Sequence, residues 1–303
     1  MYYVYEMSNF VSVTNPKSVM KSLITFFIAL AFSINSFADT VSDKEKEALI
    51  KLYHATNGPE WKMKWDLSLS VSTWYGVRAE NGKVIALDLS DNNLQGELPA
   101  EFFDLINLVQ VNFQKNQLEG NLPNNIHNLK ELEVLNVSDN KFSGTIPAEI
   151  CDLQKLKDLE LFKNKISGEL PADLGKLKEL EVLALFNNEI QGSLPSSIYK
   201  ISTLKVLLLN GNKLSGNLSR EIVNFRALEN LSLFDNSFEG EIPDGLGKLN
   251  KLSEMNLSYN KFKGGVSKKI ALLDALNMTM FDENGNPFLL EINAERQKNI
   301  TEN

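Results

Sequence analysis

The sequence has a single cysteine, Cys151, so no intramolecular disulfide can form and the core must hold by packing. That thiol and two histidines, His54 and His127, cannot furnish a common structural zinc site, and no cofactor is expected. Basic residues number 31 against 39 acidic ones, a formal charge of −8, and the cations are scattered. The clustered Lys/Arg footprint of a nucleic-acid binder is missing, so a nucleic-acid partner is not expected. Apolar runs are short. The one at Leu23–Phe32 falls well below the roughly twenty residues that span a bilayer. Lys17 and Lys21 flank it and Ser36-Phe37-Ala38 follows as a small-x-small site. This is the pattern of an export signal within residues 1–38, cleaved after Ala38, with Met20 as a possible true start. No apolar span follows later in the chain, so a transmembrane anchor is not expected. The expected location is outside the cell, or in the periplasm or cell envelope.

What the chain does have is a period of 24 residues. An asparagine column runs through Asn92, Asn116, Asn140, Asn164, Asn188, Asn212, Asn236 and Asn260. A glycine column follows four residues behind it, from Gly96 to Gly264, and a leucine column from Leu108 to Leu276 closes each unit. Proline fills a further column (Pro99, Pro123, Pro147, Pro171, Pro195 and Pro243), with Ser219 and Ser267 as the exceptions. Such columns predict eight stacked repeats over residues 85–276, each leaning on its neighbours. Residues 39–84 then form an N-terminal cap, and residues 277–303 a C-terminal cap and polar tail.

The columns have physical roles. In each xLxLx segment two apolar side chains point inward from a short strand, and the strands stack as a parallel sheet. The asparagine amide sits where the chain leaves the sheet. It can satisfy backbone groups that the turn leaves unpaired, as a structural ladder along the array. Glycine admits a conformation that a Cβ resists, and proline fixes φ before an outer segment of irregular or 3₁₀ turns. The fold class is therefore an α/β repeat solenoid: a right-handed superhelix with a parallel β-sheet on its concave face. Ahead of it, Ser42 and Glu45 form a capping box, Leu49, Leu52 and Tyr53 give the helix an apolar face, and Gly58 is expected to end it. Trp61, Trp65 and Trp74 are expected to cover the open end of the array. A sugar-binding aromatic platform is the alternative role for them.

The consensus LxxLxLxxNxLxGxIP resembles plant-type leucine-rich repeats, as in FSGTIP at Phe142–Pro147 and FEGEIP at Phe238–Pro243. The cap, Ala48-Leu49 to Asn57-Gly58 and then Trp74-Tyr75-Gly76-Val77, is similar to that of bacterial exported proteins with this repeat. The resemblance extends to plant receptor ectodomains and polygalacturonase-inhibiting proteins. Where many relatives carry a cap cysteine after this motif, the chain has Ala79, so packing alone must hold the cap.

No Ser/His/Asp grouping converges and the glycines are periodic rather than phosphate-cradling, so a non-catalytic protein is expected. Function should then lie on the outward strand positions. The first three repeats place polar residues there, among them Asp88, Asn112 and Gln114. Repeats four to seven place Phe162, Phe186, Leu208 and Phe234, with Glu160, Asn210, Asp235 and Tyr259 beside them. Stacked strands put Phe162 and Phe186 ~5 Å apart, with Phe234 roughly 10 Å further on. An apolar cluster with a polar rim marks a binding site for a protein or peptide ligand. A glycan-contacting adhesion protein or an inhibitor of a secreted polysaccharide hydrolase is the alternative. A phenylalanine that merely packs on its neighbours is the bland one. A lattice-facing array, to ice or mineral, would need a flat column of like residues, and none exists. The ligand's identity and the oligomeric state are not legible.

Overall fold

The computed structural model describes residues 41–274 and 278–292. Residues 1–38, where an export signal is expected, and Leu276 lie outside the described residues.

The N-terminal helix spans Asp43–Ala55. Ser42 caps it: the Glu45 N–H donates to Ser42 Oγ at 3.3 Å, and the Ser42 hydroxyl donates to Glu45 Oε2 at 3.2 Å. Asn57 rather than Gly58 takes the left-handed turn after the helix, at φ 58°, a conformation asparagine tolerates. Gly58 is required for another reason, because a Cβ there would meet the Tyr53 ring at 2.3 Å. The helix is tied to the first repeat through Glu45, whose Oε1 accepts from Val84 N–H at 3.4 Å and Asn107 Nδ2 at 3.3 Å.

From there the chain coils. Nine strands form one sheet, opened by Val77–Glu80, which runs antiparallel to Lys83–Asp88. Seven parallel strands follow in chain order: Gln110–Asn112, Val134–Asn136, Asp158–Glu160, Val182–Ala184, Val206–Leu208, Asn230–Ser232 and Glu254–Asn256. The register never slips: Leu87, Val111, Leu135, Leu159, Leu183, Leu207, Leu231 and Met255 lie opposite one another in turn. A 24-residue period can place equivalent residues side by side only in such a stack, and these residues form one continuous buried core.

The asparagine column forms a hydrogen-bonded ladder behind the sheet. Asn188 Oδ1 accepts from Ile166 N–H of the preceding repeat at 3.0 Å. Its Nδ2 donates to Leu161 O at 2.9 Å and Leu185 O at 3.0 Å. The same two-way link recurs at Asn116, Asn140, Asn164, Asn212, Asn236 and Asn260. At the first rung the cap takes over, with Met63 N–H donating to Asn92 Oδ1 at 2.6 Å.

A second set of strands lies beyond the ladder, where the columns gave no hint of pairing. Five of them, Ser167–Gly168, Glu189–Gly192, Lys213–Asn217, Ser237–Glu241 and Lys261–Lys263, form one sheet, and Gln95–Glu97 pairs with Gln117–Glu119. The column glycines sit in these strands or at their ends, except Gly144, which follows an isolated bridge between Asn121 and Ser143. At Gly168, φ is +75° and a Cβ would meet Thr145 Cγ2 at 2.7 Å, so both backbone and space demand glycine. The outer segments are 3₁₀ turns such as Ala148–Asp152, entered from proline. The two serine exceptions are caps. Ser219 Oγ accepts from Glu221 N–H at 3.1 Å, and Ser267 Oγ from Ile270 N–H at 3.4 Å at the head of a short α-helix, Lys268–Ala271.

The far end is closed by Asp274, which stands where another strand would pair. Its carboxylate accepts from Leu257 N–H at 2.6 Å and Ser258 Oγ at 2.9 Å. A hairpin of Thr279–Phe281 and Pro287–Leu289 follows, its turn held by Asp282 Oδ1 accepting Asn284 and Asn286 N–H at 2.8 Å each. Residues read as polar tail therefore include strand. Pro287–Leu289 completes the hairpin, and Glu291–Ile292 pairs with Gly265–Val266.

Candidate functional site

The concave sheet presents three residues per repeat, because Leu159, Leu161 and their equivalents point inward while the alternate residues, such as Asp158, Glu160 and Phe162, point out. In repeats one, two, three and eight the middle residue is Asp88, Asn112, Asn136 or Asn256. Each folds its oxygen onto the N–H two residues along, at 3.2, 3.2, 3.0 and 3.0 Å. The polarity of the first three repeats is thus largely spent within the fold. In repeats four to seven the middle residues are Glu160, Ala184, Leu208 and Ser232, and the outward row changes character.

Phe162 and Phe186 meet face to face, with centroids 4.3 Å apart and planes 8° from parallel. Both rings are half-buried. Phe234 lies two rungs beyond Phe186 and packs on Tyr259 at 4.9 Å, which in turn meets Phe281 at 5.2 Å. Half-buried Asn210 separates the two aromatic groups, and Asp235 is exposed beside the second. Phe281 escaped the sequence reading because it lies in the closing hairpin, off the 24-residue grid. Tyr259 occupies a column of left-handed residues just ahead of each ladder asparagine, from Asp91 to Tyr259, with φ between 49° and 65°. Asp, Asn and Gly fill much of that column, a signal that reading the sequence by conformation would have caught.

Two expected surface residues are not on the surface. Leu208 is 7% exposed and Glu160 5%, because neighbouring rows close over the middle column. Leu208 therefore belongs with the core. The burial of Glu160 has an electrostatic consequence. Asp158 Oδ1 and Glu160 Oε1 are closed off from water without a hydrogen-bond partner. Loss of solvation pushes the Glu160 carboxyl up to about 7. It raises Asp158 well above the ordinary range too, with the negative charges of Glu160 and Glu181 adding to the effect. Acids whose folded pKa is raised hold more protons when folded than when unfolded. They cost stability as pH climbs from the unfolded carboxylate range, near 4, to about 7. Replacing both by amides, Asp158→Asn with Glu160→Gln, should therefore raise stability at pH 8 by ~2–3 kcal/mol and leave it nearly unchanged at pH 4.5. Urea midpoints at the two pH values check this.

The tryptophans form no exposed platform. Trp61, Trp65 and Trp74 are 1%, 4% and 3% exposed, and each indole N–H donates to a backbone carbonyl: Thr56, Tyr75 and Asp66. Cys151 is buried, and its thiol is pushed up to about 11 by loss of solvent, which suits a packing role and not a nucleophile. Among the described residues no helix is long and apolar enough to cross a membrane.

A family model described as Leucine Rich Repeat matches residues 83–105, and one described as Leucine-rich repeat region matches residues 140–279. The chain is 30% identical over 96 residues to receptor-like kinase TMK4 of Arabidopsis thaliana, covering 32% of this chain and 10% of that protein. It is 30% identical over 102 residues to polygalacturonase inhibitor 1 of the same plant, covering 32% of this chain and 31% of the inhibitor. Among solved structures, the plant peptide hormone receptor RGFR1 in complex with RGF2 aligns with a TM-score of 0.60 and 30% identity, over 68% of this chain and 32% of the receptor. The chain thus spans a third or less of the length of these proteins. The unbroken repeat columns, the stacked sheets and these matches agree: the chain is a leucine-rich-repeat protein built on the plant-type repeat.

Proposed function

We propose that the chain is an exported, non-catalytic binding protein that takes a protein or peptide ligand on the concave face of repeats four to seven. The observation that carries this reading is the stacked Phe162–Phe186 pair, half-buried on a sheet face whose first three repeats carry polar middle residues satisfied within the fold. An apolar shelf with a polar rim is the usual anatomy of a contact hot spot. Here the rim is Asn210 and Asp235, with Phe234 and Tyr259 as a second anchor. Similarity to a peptide hormone receptor supports a peptide-sized ligand. Similarity to a polygalacturonase inhibitor supports a second reading on the same face, inhibition of a secreted polysaccharide hydrolase.

The test is capture from culture supernatant and envelope extract with two baits, the natural chain and Phe186→Asp. A charge set against the Phe162 ring should abolish recovery of any partner that uses this face. A hydrolase among the captured proteins, inhibited by the natural chain, would favour the second reading. Equal recovery by both baits would place the contact elsewhere.

A further inference from the structure

Four outward positions of the concave strands carry carboxylates: Asp88, Asp158, Glu160 and Glu254. Two are answered within the fold. Asp88 Oδ1 accepts from Ser90 N–H and from Ser90 Oγ at 2.8 Å, and Glu254 Oε2 from Asn230 Nδ2 at 2.6 Å. Asp158 and Glu160 are different, since each keeps a buried oxygen with no donor. Their surroundings offer no cation. Val134 and Asn136 flank them on one strand and Val182 and Ala184 on the other. Asn136 Oδ1 accepts from the Ser138 N–H and hydroxyl, its amide does not reach Asp158 Oδ1 or Glu160 Oε1, and Lys157, next in sequence, is held by Glu133 Oε2 at 2.8 Å. Glu181 adds further negative charge. An unanswered buried acid is costly, and such costs concentrate where a ligand later answers them.

The pair is also placed beside the aromatic shelf. Asp158, Glu160 and Phe162 are alternate residues facing the same way, so the two acids stand ~6.6 Å apart along the backbone and the ring follows at the same interval. Phe186 stacks on that ring from the next strand. We propose that Asp158 and Glu160, together with the face of the Phe162–Phe186 pair, form a seat for a cationic side chain of the ligand, an arginine by preference. A guanidinium is planar and carries five donors in a fixed fork. It can lie on an aromatic face while bonding to carboxylates at its edge, which a lysine ammonium does less well. Ala184, opposite Glu160 on the neighbouring strand, keeps the row beside the acids low. Glu160 is not pinned to the backbone as the Asp and Asn residues at equivalent positions are. In the seat its longer side chain swings its carboxylate outward from this buried position to meet the ligand. The seat extends the concave-face reading and rests on it.

The probes are three blocked pentapeptides, acetyl-Gly-Ala-X-Ala-Gly-amide with X as Arg, Lys or Gln, titrated into the purified chain at pH 8 and followed by NMR. The Arg peptide should bind about tenfold more tightly than the Gln peptide, the usual gain for charge-assisted hydrogen bonds. In Asp158→Asn/Glu160→Gln that preference should fall below about twofold, with the fold retained, since these changes relieve a buried charge. Glu160→Gln alone should lower it part of the way. Phe186→Ala should weaken the Arg and Lys peptides while the two acids remain. The assignment is overturned by a natural chain that shows no Arg preference, whether both peptides bind equally or neither binds. It is also overturned by a preference that survives in the double variant. Either result, obtained while Phe186→Asp still abolishes partner capture, rejects the cation seat and leaves the concave-face reading standing.

Discussion

Trp65→Ala is expected to cost ~3–5 kcal/mol, the range for emptying a buried tryptophan site. Trp65 is stacked on Trp74 at 4.8 Å, meets Trp61 edge-on at 4.9 Å, and lies 5.9 Å from the Tyr53 ring. Its indole N–H donates to Tyr75 O at 2.8 Å. Removing it opens a cavity at the centre of the cluster that joins the helix to the first repeat, and no disulfide backs up that joint. In a solenoid each unit is stabilised by the next, so loosening the cap exposes the apolar end of the array behind it. All three tryptophans of the chain lie in this cap. Urea unfolding followed by tryptophan fluorescence should therefore move to lower denaturant ahead of the transition followed by circular dichroism. Met63→Ala, at a side chain that is largely exposed, should stay within about 0.5 kcal/mol.

Asn188→Ala should cost ~1–3 kcal/mol, by stripping buried backbone groups of their partner. The amide lies between two repeats. Without it, the Ile166 N–H and the Leu161 and Leu185 carbonyls lose bonds of 2.9 to 3.0 Å in a place water reaches poorly. Alanine fits the space but supplies neither donor nor acceptor. Lys165→Ala, exposed one rung away, is the control and should shift stability by no more than about 0.5 kcal/mol. Equal urea midpoints for the two variants would contradict the ladder.

Most of the architecture was legible because a period of 24 residues is itself geometry. Identical residue types at fixed spacing can only be neighbours across a stack, so the leucine and asparagine columns implied the sheet and the ladder behind it. The second sheet was not legible. Segments such as Gln95–Glu97 and Ser167–Gly168 carry no apolar residue to mark a strand, and they pair only because the first sheet has already brought them side by side. The closing role of Asp274 was hidden for a related reason, since it substitutes for a missing strand through one carboxylate. On the candidate site, the column of phenylalanines could be read directly, and Phe162 and Phe186 do stack. Exposure could not. Glu160 and Leu208 are outward by strand alternation, yet their neighbours on adjacent strands bury them. Side-chain burial on a concave face depends on how three rows lean together, which no single repeat records.

If the aromatic shelf binds a ligand, truncating it should cost affinity and not only stability. The direct measurement is the dissociation constant of the captured partner together with the unfolding midpoint, for Phe186→Ala and for Gln114→Ala at the polar end of the same face. Phe186→Ala should lose at least ~2 kcal/mol of affinity and Gln114→Ala almost none, with both variants folded. Unchanged affinity for Phe186→Ala with a lowered midpoint would contradict binding at the shelf: the phenylalanines would then be packing residues, and the contact would lie elsewhere on the solenoid.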